Sequence, residues 1–279
     1  MFENYEATKK DLKAIEKGII TVWHPKLNFI FKKKKLIEKT TVISFDANFL
    51  YLWTRKEFPK LDSFPCGLKD YRAYKIPHNL RIKDQFQAGW KIGVAIEEFE
   101  KYLPKKILKN NYQFPKISGS LLSPFIKSHQ DVKKDYQLGD IYNTYESYLA
   151  TVIHEFAHIY YNQHKLWWFS NKKQNLNLVK SAIKLFGEER TNLNNLKIEI
   201  PYPLLWSEVF AFCTEYYSAT LFWPMFKKEL DKYLKINLAK LIKNPSFLSS
   251  RNSHDLAATI GKIIISSYSK DWPKRILQF

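Results

Sequence analysis

The sequence predicts an α+β protein in which strand-forming segments come first and helices dominate the second half. Leu12, Ile15 and Ile19 recur at helical intervals near the N-terminus. Apolar, aromatic and β-branched runs over residues 26–55 predict strands, and the apolar stretches between residues 203 and 277 favour helices. The chain has 279 residues, which is enough to bury a large core in one or two domains.

The N-terminal third is expected to hold a helix over residues 4–20 and then the strands of a small mixed sheet. Strands are predicted at Leu27–Phe31, Thr40–Phe45 and Phe49–Trp53 because each is a short run of residues that favour extended chain. Prolines and a glycine from Pro59 to Pro77 predict irregular chain.

Three further elements are expected before the middle of the chain. Asp84–Tyr102 is predicted to be a long helix that ends at Pro104, since proline cannot continue a helix. A strand is predicted over Lys116–Leu122, and a turn or short strand over Gly139–Asn143 leads into the next helix.

That next helix carries the most informative motif, His154-Glu155-Phe156-Ala157-His158. Residues four apart share a face of a helix, so His154 and His158 can bind one metal ion together. Glu155 can then hold a metal-bound water and accept its proton. Residues 151–160 carry no charge besides Glu155, which predicts a helix inside the protein. The alternative is two hydrogen-bonded histidines on a core helix, but a buried glutamate beside them still needs a partner.

This extended pattern resembles the zincin superfamily of metallopeptidases, whose catalytic zinc has three protein ligands and one open position. His164 falls where the metzincin branch has its third histidine. That branch has a glycine where this chain has Tyr161, a residue that resists positive φ. On a continuing helix His164 lies ten residues from His154, roughly 15 Å along the axis, and cannot reach the same ion.

A second candidate for the third ligand lies in Trp206–Ala211, which reads W-S-E-V-F-A. It is similar to the N-E-G-F-A segment of gluzincins, the branch that holds thermolysin and the leukotriene-hydrolase type of aminopeptidase. The resemblance implies that Glu208 is the third ligand, with Ser207 and Val209 replacing asparagine and glycine. Glu215, seven residues on, faces the same side and is the alternative ligand or a partner for a histidine.

Gluzincins also use a tyrosine or histidine to hydrogen-bond the developing oxyanion, and His254 precedes a small-residue helix as that group often does. The resemblance therefore implies a catalytic role for His254. The alternative is that Ser253 or Asp255 caps the helix while His254 lies at the surface. Tyr216 and Tyr217 are further candidate donors.

Taken together, the resemblance implies a zinc metallopeptidase acting on a peptide or protein substrate. His154, His158 and Glu208 would bind Zn²⁺, and Glu155 would be the general base. Two other functions stay open: a non-catalytic zincin scaffold that binds or regulates, and a basic nucleic-acid-associated protein with a structural metal.

The resemblance also implies a domain division. Residues 84–279 would form the zincin-like domain, with a sheet and helix part over 84–170 and a helical part over 171–279. Residues 1–83 would form an N-terminal α/β region whose role the sequence does not indicate.

Composition narrows the partners and the compartment. The net charge is +18, but 39 of the 45 basic residues are lysine and only six are arginine, the residue that nucleic-acid readers favour. Nucleic acid is therefore not expected as the main partner. Cys66 and Cys213 lie far apart and suit a reducing compartment. No secretory signal and no apolar run of about 20 residues is visible, so the chain is expected in the cytoplasm.

Overall fold

The computed structural model describes residues 7–38, 40–45, 49–55, 57–59, 61–77, 145–163, 202–243 and 253–277. These residues form helices and one small sheet, in agreement with the predicted α+β class. The chain divides into two compact units, one of Met1–His24 with Lys34–Phe156 and one of Pro25–Lys33 with Ala157–Phe279. The predicted domain boundary after residue 83 lies outside the described residues, as do the elements expected over 84–102, 116–122 and 139–143.

The first unit begins with helix α1, Lys9–Val22, where the sequence predicted a helix over residues 4–20. Thr8 caps its N-terminus: the Thr8 side chain accepts a hydrogen bond from the Asp11 backbone, and the Asp11 carboxylate accepts one from the Thr8 backbone at 2.9 Å. This reciprocal pair satisfies two backbone donors that a helix start leaves without partners. The buried face of α1 carries the apolar residues that recur three and four apart.

The sheet of the first unit is antiparallel and has four described strands in the order β1-β2-β4-β3. The strands are β1 Val42–Phe45, β2 Phe49–Thr54, β3 Asp62–Phe64 and β4 Arg72–Pro77. The first two confirm the strands predicted at Thr40–Phe45 and Phe49–Trp53. Glu16 links α1 to the sheet and to the loop that follows β3. Its carboxylate accepts hydrogen bonds from the Trp53 indole at 3.3 Å and from the Gly67 backbone at 3.2 Å.

Two sequence predictions are wrong. Leu27–Phe31 is not a strand: Pro25–Leu27 is a 3-10 turn, and the Phe31 backbone N–H donates to the Leu27 carbonyl at 3.0 Å. Its buried residues are Leu27, Ile30 and Phe31. Spacings of three residues and one residue fit a helical turn, whereas a strand would bury every second residue. Pro59–Pro77 is not wholly irregular, because it contains β3 and β4. The prolines and glycine there mark the ends and turns of those strands.

Helix α2, Tyr145–Gln163, carries the His-Glu-x-x-His motif. Within the first unit α1 meets α2 at Gly18, whose backbone lies so close to Val152 that a Cβ there would be 2.7 Å from the Val152 Cβ. A side chain of any size at position 18 would force the helices apart. Because Val152 is two residues before His154, this contact sets how closely α1 packs against the start of the motif.

The second unit contains helices α3 Tyr202–Phe222, α4 Pro224–Lys243, α5 Ser253–Tyr268 and α6 Trp272–Leu277. Helix α3 approaches α5 closely at Gly261, where an added Cβ would lie 2.8 Å from Phe212 Cδ1. The Cys213 thiol donates to the Gly261 carbonyl at 3.5 Å. Within the described part of the chain, no helix has the length and apolar character needed to cross a membrane.

The close approach at Gly18 predicts that Gly18→Ala lowers the free energy of unfolding by about 1–2 kcal/mol, as expected for overpacking. Alanine ordinarily favours a helix over glycine by about 1 kcal/mol, so a net loss requires the clash with Val152. Urea unfolding followed by circular dichroism measures this. Lys13→Ala, at an exposed position of the same helix, is the control and should change stability by less than about 0.5 kcal/mol. A stabilised Gly18→Ala protein would show that α1 and α2 have room between them.

Candidate metal centre

The motif on α2 lies in an apolar and buried stretch of helix, as the sequence predicted. Every residue from 151 to 161 is buried except His154, which is partly exposed. His158 is 6% exposed and Glu155 is 3% exposed. Polar side chains at this depth need partners, because burying them without hydrogen bonds or a counter-charge costs several kcal/mol.

Three of the expected site residues come together. The ligand atoms of His154, His158 and Glu208 all lie within 4.8 Å of one another, with Glu208 coming from α3. His158 Nε2 and Glu208 Oε2 are 3.3 Å apart. A tetrahedral ion with bonds of about 2.0–2.1 Å separates its ligand atoms by about 3.3 Å, and two imidazoles with one carboxylate are donors that zinc accepts. The group could therefore hold a metal ion.

Ser207 is a site residue that the sequence did not single out. Its hydroxyl lies 2.7 Å from His158 Nδ1, and both side chains are buried. When Nδ1 carries the ring hydrogen it donates to this hydroxyl, which leaves the Nε2 lone pair, on the Glu208 side of the ring, free to bind a metal ion. The available signal was a short polar side chain next to Glu208 among apolar neighbours, but its sequence position alone does not say which histidine it contacts.

Glu155 and Glu215 are both buried but stand outside the cluster. Glu155 is one residue from His154 and so points about 100° around α2. Glu215 lies two turns beyond Glu208 on the same face of α3, about 10 Å along the axis. In the portion of the chain that the structure describes, the group of ligand atoms includes neither carboxylate. Glu215 is therefore not brought to the ion as the alternative ligand.

His164 and the side chain of His254 lie outside the described residues. The backbone of His254 is in the first turn of α5. Helix α2 continues through Tyr161 to Gln163, so the chain makes no metzincin-type turn at Tyr161. This continuation is what the sequence argument against His164 assumed.

Neither tyrosine proposed as an oxyanion donor is placed for that role. The Tyr216 hydroxyl donates to Asp231 at 2.5 Å and accepts from Lys262. Burial, and then the Asp231 carboxylate, raise the pKa of Tyr216 well above its usual value. Tyr217 is nine residues from Glu208, on the opposite face of α3, and its ring packs against Phe29 at 4.8 Å.

The Tyr216 contacts belong to a polar cluster that joins three helices of the second unit. Lys227 of α4 donates to Asp231 at 2.5 Å, and Lys262 of α5 donates to it at 3.0 Å. Burial by itself would raise the pKa of Asp231, but the hydrogen bonds from Lys227, Tyr216 and Lys262 outweigh burial and lower it. The cluster ties α3 to α4 and α5 and is a structural feature of the bundle.

Comparison of the chain with protein-family models, with curated proteins and with solved structures finds no match. The class that the site itself defines is a protein with a two-histidine, one-carboxylate group, buried except at His154, that could hold a metal ion.

The contact between Ser207 and His158 predicts that Ser207→Ala weakens metal binding, probed with Zn²⁺, about tenfold, because the imidazole loses the group that orients it. Competition with a chromogenic chelator measures the dissociation constant. Ser218→Ala is the matched control on the same helix, since that buried hydroxyl donates to the Thr214 carbonyl one turn back, at 2.7 Å. Equal zinc affinities for the two variants would remove Ser207 from the site.

Proposed function

We propose that this chain is a zinc-dependent metallopeptidase of the gluzincin type. His154, His158 and Glu208 bind the ion, and Glu155 is the general base. The observation that carries the proposal is the convergence of Glu208, from α3, on the two histidines of α2. The segment around Glu208 was selected by its likeness to a gluzincin motif, and the geometry supports that selection independently.

The number of ligands favours catalysis over a structural role for the metal. A structural zinc normally has four protein ligands, whereas a catalytic zinc has three and an open position. Among the residues that the structure describes, the cluster contains three ligand residues. This observation weighs against a basic nucleic-acid-associated protein with a structural metal.

A bound zinc ion would supply a Lewis acid and a water molecule whose pKa falls to about 7. The residues of the chain would do the remaining work. Glu155 would take the water proton on its carboxylate and later pass it to the leaving amine. Ser207 would hold the His158 ring in one orientation through Nδ1.

The presence of Glu155 favours an enzyme over a non-catalytic binding scaffold. A scaffold that only binds a partner has no need of a base beside two histidines. A peptidase requires it as the base. The substrate class, a peptide or protein, follows from the resemblance of the two motifs to gluzincins.

Two buried glutamates on one helix provide a test of the ligand set. Glu208→Gln should lower zinc affinity by at least about tenfold, because a neutral amide replaces the charged ligand. Glu215→Gln, two turns away on α3, should lower stability but leave the zinc dissociation constant unchanged. Metal analysis of the wild-type protein should show about one zinc per chain. The ligand assignment fails if Glu215→Gln loses the metal while Glu208→Gln keeps it. His164→Ala should keep the metal as well.

The role of Glu155 has a separate test. Glu155→Gln should keep zinc and lose about 10²- to 10⁴-fold in hydrolysis of a mixed fluorogenic peptide library, because the amide cannot accept the water proton. Glu229→Gln, an exposed glutamate on α4 that pairs with Lys232, is the control and should hydrolyse the library at the wild-type rate. A wild-type rate from Glu155→Gln would contradict the mechanism, and a zinc-loaded wild-type protein without hydrolysis would favour the binding scaffold.

A further inference from the structure

Residues 25–33, here called the strap, belong to the second unit although the chain on both sides of them belongs to the first. Its apolar residues Leu27, Ile30 and Phe31 are fully buried. The strap contacts both helices that carry the metal ligands. Phe31 packs edge-on against Tyr160 of α2 at 5.3 Å between ring centroids, and Phe29 packs edge-on against Tyr217 of α3 at 4.8 Å.

A hydrogen bond fixes the strap to α2 at the same place. The Lys33 backbone N–H donates to the Tyr160 hydroxyl at 3.2 Å. Tyr160 is therefore held at its ring by Phe31 and at its hydroxyl by the strap backbone. This residue is only two positions beyond the ligand His158.

The contact continues from α2 into α3. The Tyr160 ring stacks on Phe210 with centroids 6.1 Å apart, and Tyr161 packs on the same ring at 5.7 Å. Phe210 also meets Trp272 of α6 at 5.4 Å. A column of aromatic rings thus runs from the strap through α2 and α3, and all of its members belong to the second unit.

This column lies next to the ligand contacts. Ser207 and Phe210 are three residues apart on α3, and His158 and Tyr161 are three apart on α2, so each pair shares one helix face. The two faces contact each other at two places. The His158 ring lies 2.7 Å from the Ser207 hydroxyl, and the Tyr161 ring packs on the Phe210 ring. A change in the ring packing would shift the two helices and move Glu208 relative to His158.

We propose that the strap is a positioning element of the metal centre. Through Phe31, Tyr160 and Phe210 it sets the separation of α2 and α3 and holds His158 and Glu208 within reach of one ion. Close-packed interiors transmit such shifts because they contain few voids to absorb them. Phe31 and Tyr160 are positioning residues, which act on the ligands through the packing of α2 against α3. The inference rests on the metal centre of the proposed function but not on hydrolysis.

The test compares two Phe→Ala changes in the full-length protein. Phe31→Ala should weaken zinc binding about tenfold or more, because the ring that supports Tyr160 is gone. Phe226→Ala removes an equally buried ring from α4, which carries no ligand, and should change the zinc dissociation constant by less than about twofold despite a lower melting temperature. The dissociation constants are measured by chelator competition on folded protein.

The visible spectrum of the Co²⁺-loaded protein adds a readout that stability alone does not move. It reports ligand geometry and should change in Phe31→Ala but not in Phe226→Ala. Should Phe31→Ala fail to fold, Phe31→Leu and Tyr160→Phe take its place, and each should weaken zinc binding to a smaller, measurable extent.

The outcomes separate this inference from the proposed function. Equal effects of the strap and α4 substitutions on affinity and spectrum would overturn the role of the strap alone. A wild-type protein that binds no metal would overturn both. A wild-type protein that binds zinc with the expected strap dependence but hydrolyses no peptide would overturn the peptidase and leave the positioning role standing.

Discussion

The approach of α3 to α2 is the constraint on which the candidate site depends. Each helix is apolar, and each buries polar side chains that would be costly without partners. The two helices supply partners to each other: one ring nitrogen of His158 on α2 contacts Ser207 of α3, and the other contacts Glu208 of α3. Two adjacent residues of one helix turn therefore fix the position and rotation of one imidazole. A third polar group, His154, lies one turn away on α2 and completes a group suited to a cation.

Small residues and rings, and not ionic contacts, set the helix positions around this group. In the first unit Gly18 lets α1 approach the start of the motif at Val152. In the second unit Gly261 lets α5 approach the middle of α3 at Phe212. The polar cluster around Asp231 is partly exposed, so screening by solvent limits what it adds. Close packing constrains the helix positions more strongly than these ion pairs do, because a helix packed directly against a glycine can shift very little.

Local patterns revealed much of the site and less of the fold. Fixed spacing on one helix predicted that His154 and His158 act as a pair, since residues four apart share a face whatever surrounds them. Glu208 required a family resemblance, because nothing in the spacing of α2 states which helix will meet it. Ser207 was missed for the same reason. Leu27–Phe31 was wrongly predicted to be a strand, because apolar content alone does not distinguish a strand from a helical turn in so short a run. The strands after Pro59 were missed because prolines and a glycine lie between and beside them.

The side chains of the candidate metal site differ in how far they are exposed to solvent. Glu155, His158 and Glu208 are buried, whereas His154 is partly exposed. An ion bound by the group would be largely screened from solvent by His158 and Glu208, and His154 is the most exposed of the three ligand residues. The buried side keeps the carboxylates in a low-dielectric setting, where their charges act over short distances with little screening. A site buried evenly on all sides would hold an ion firmly but would give a reactant no route to it.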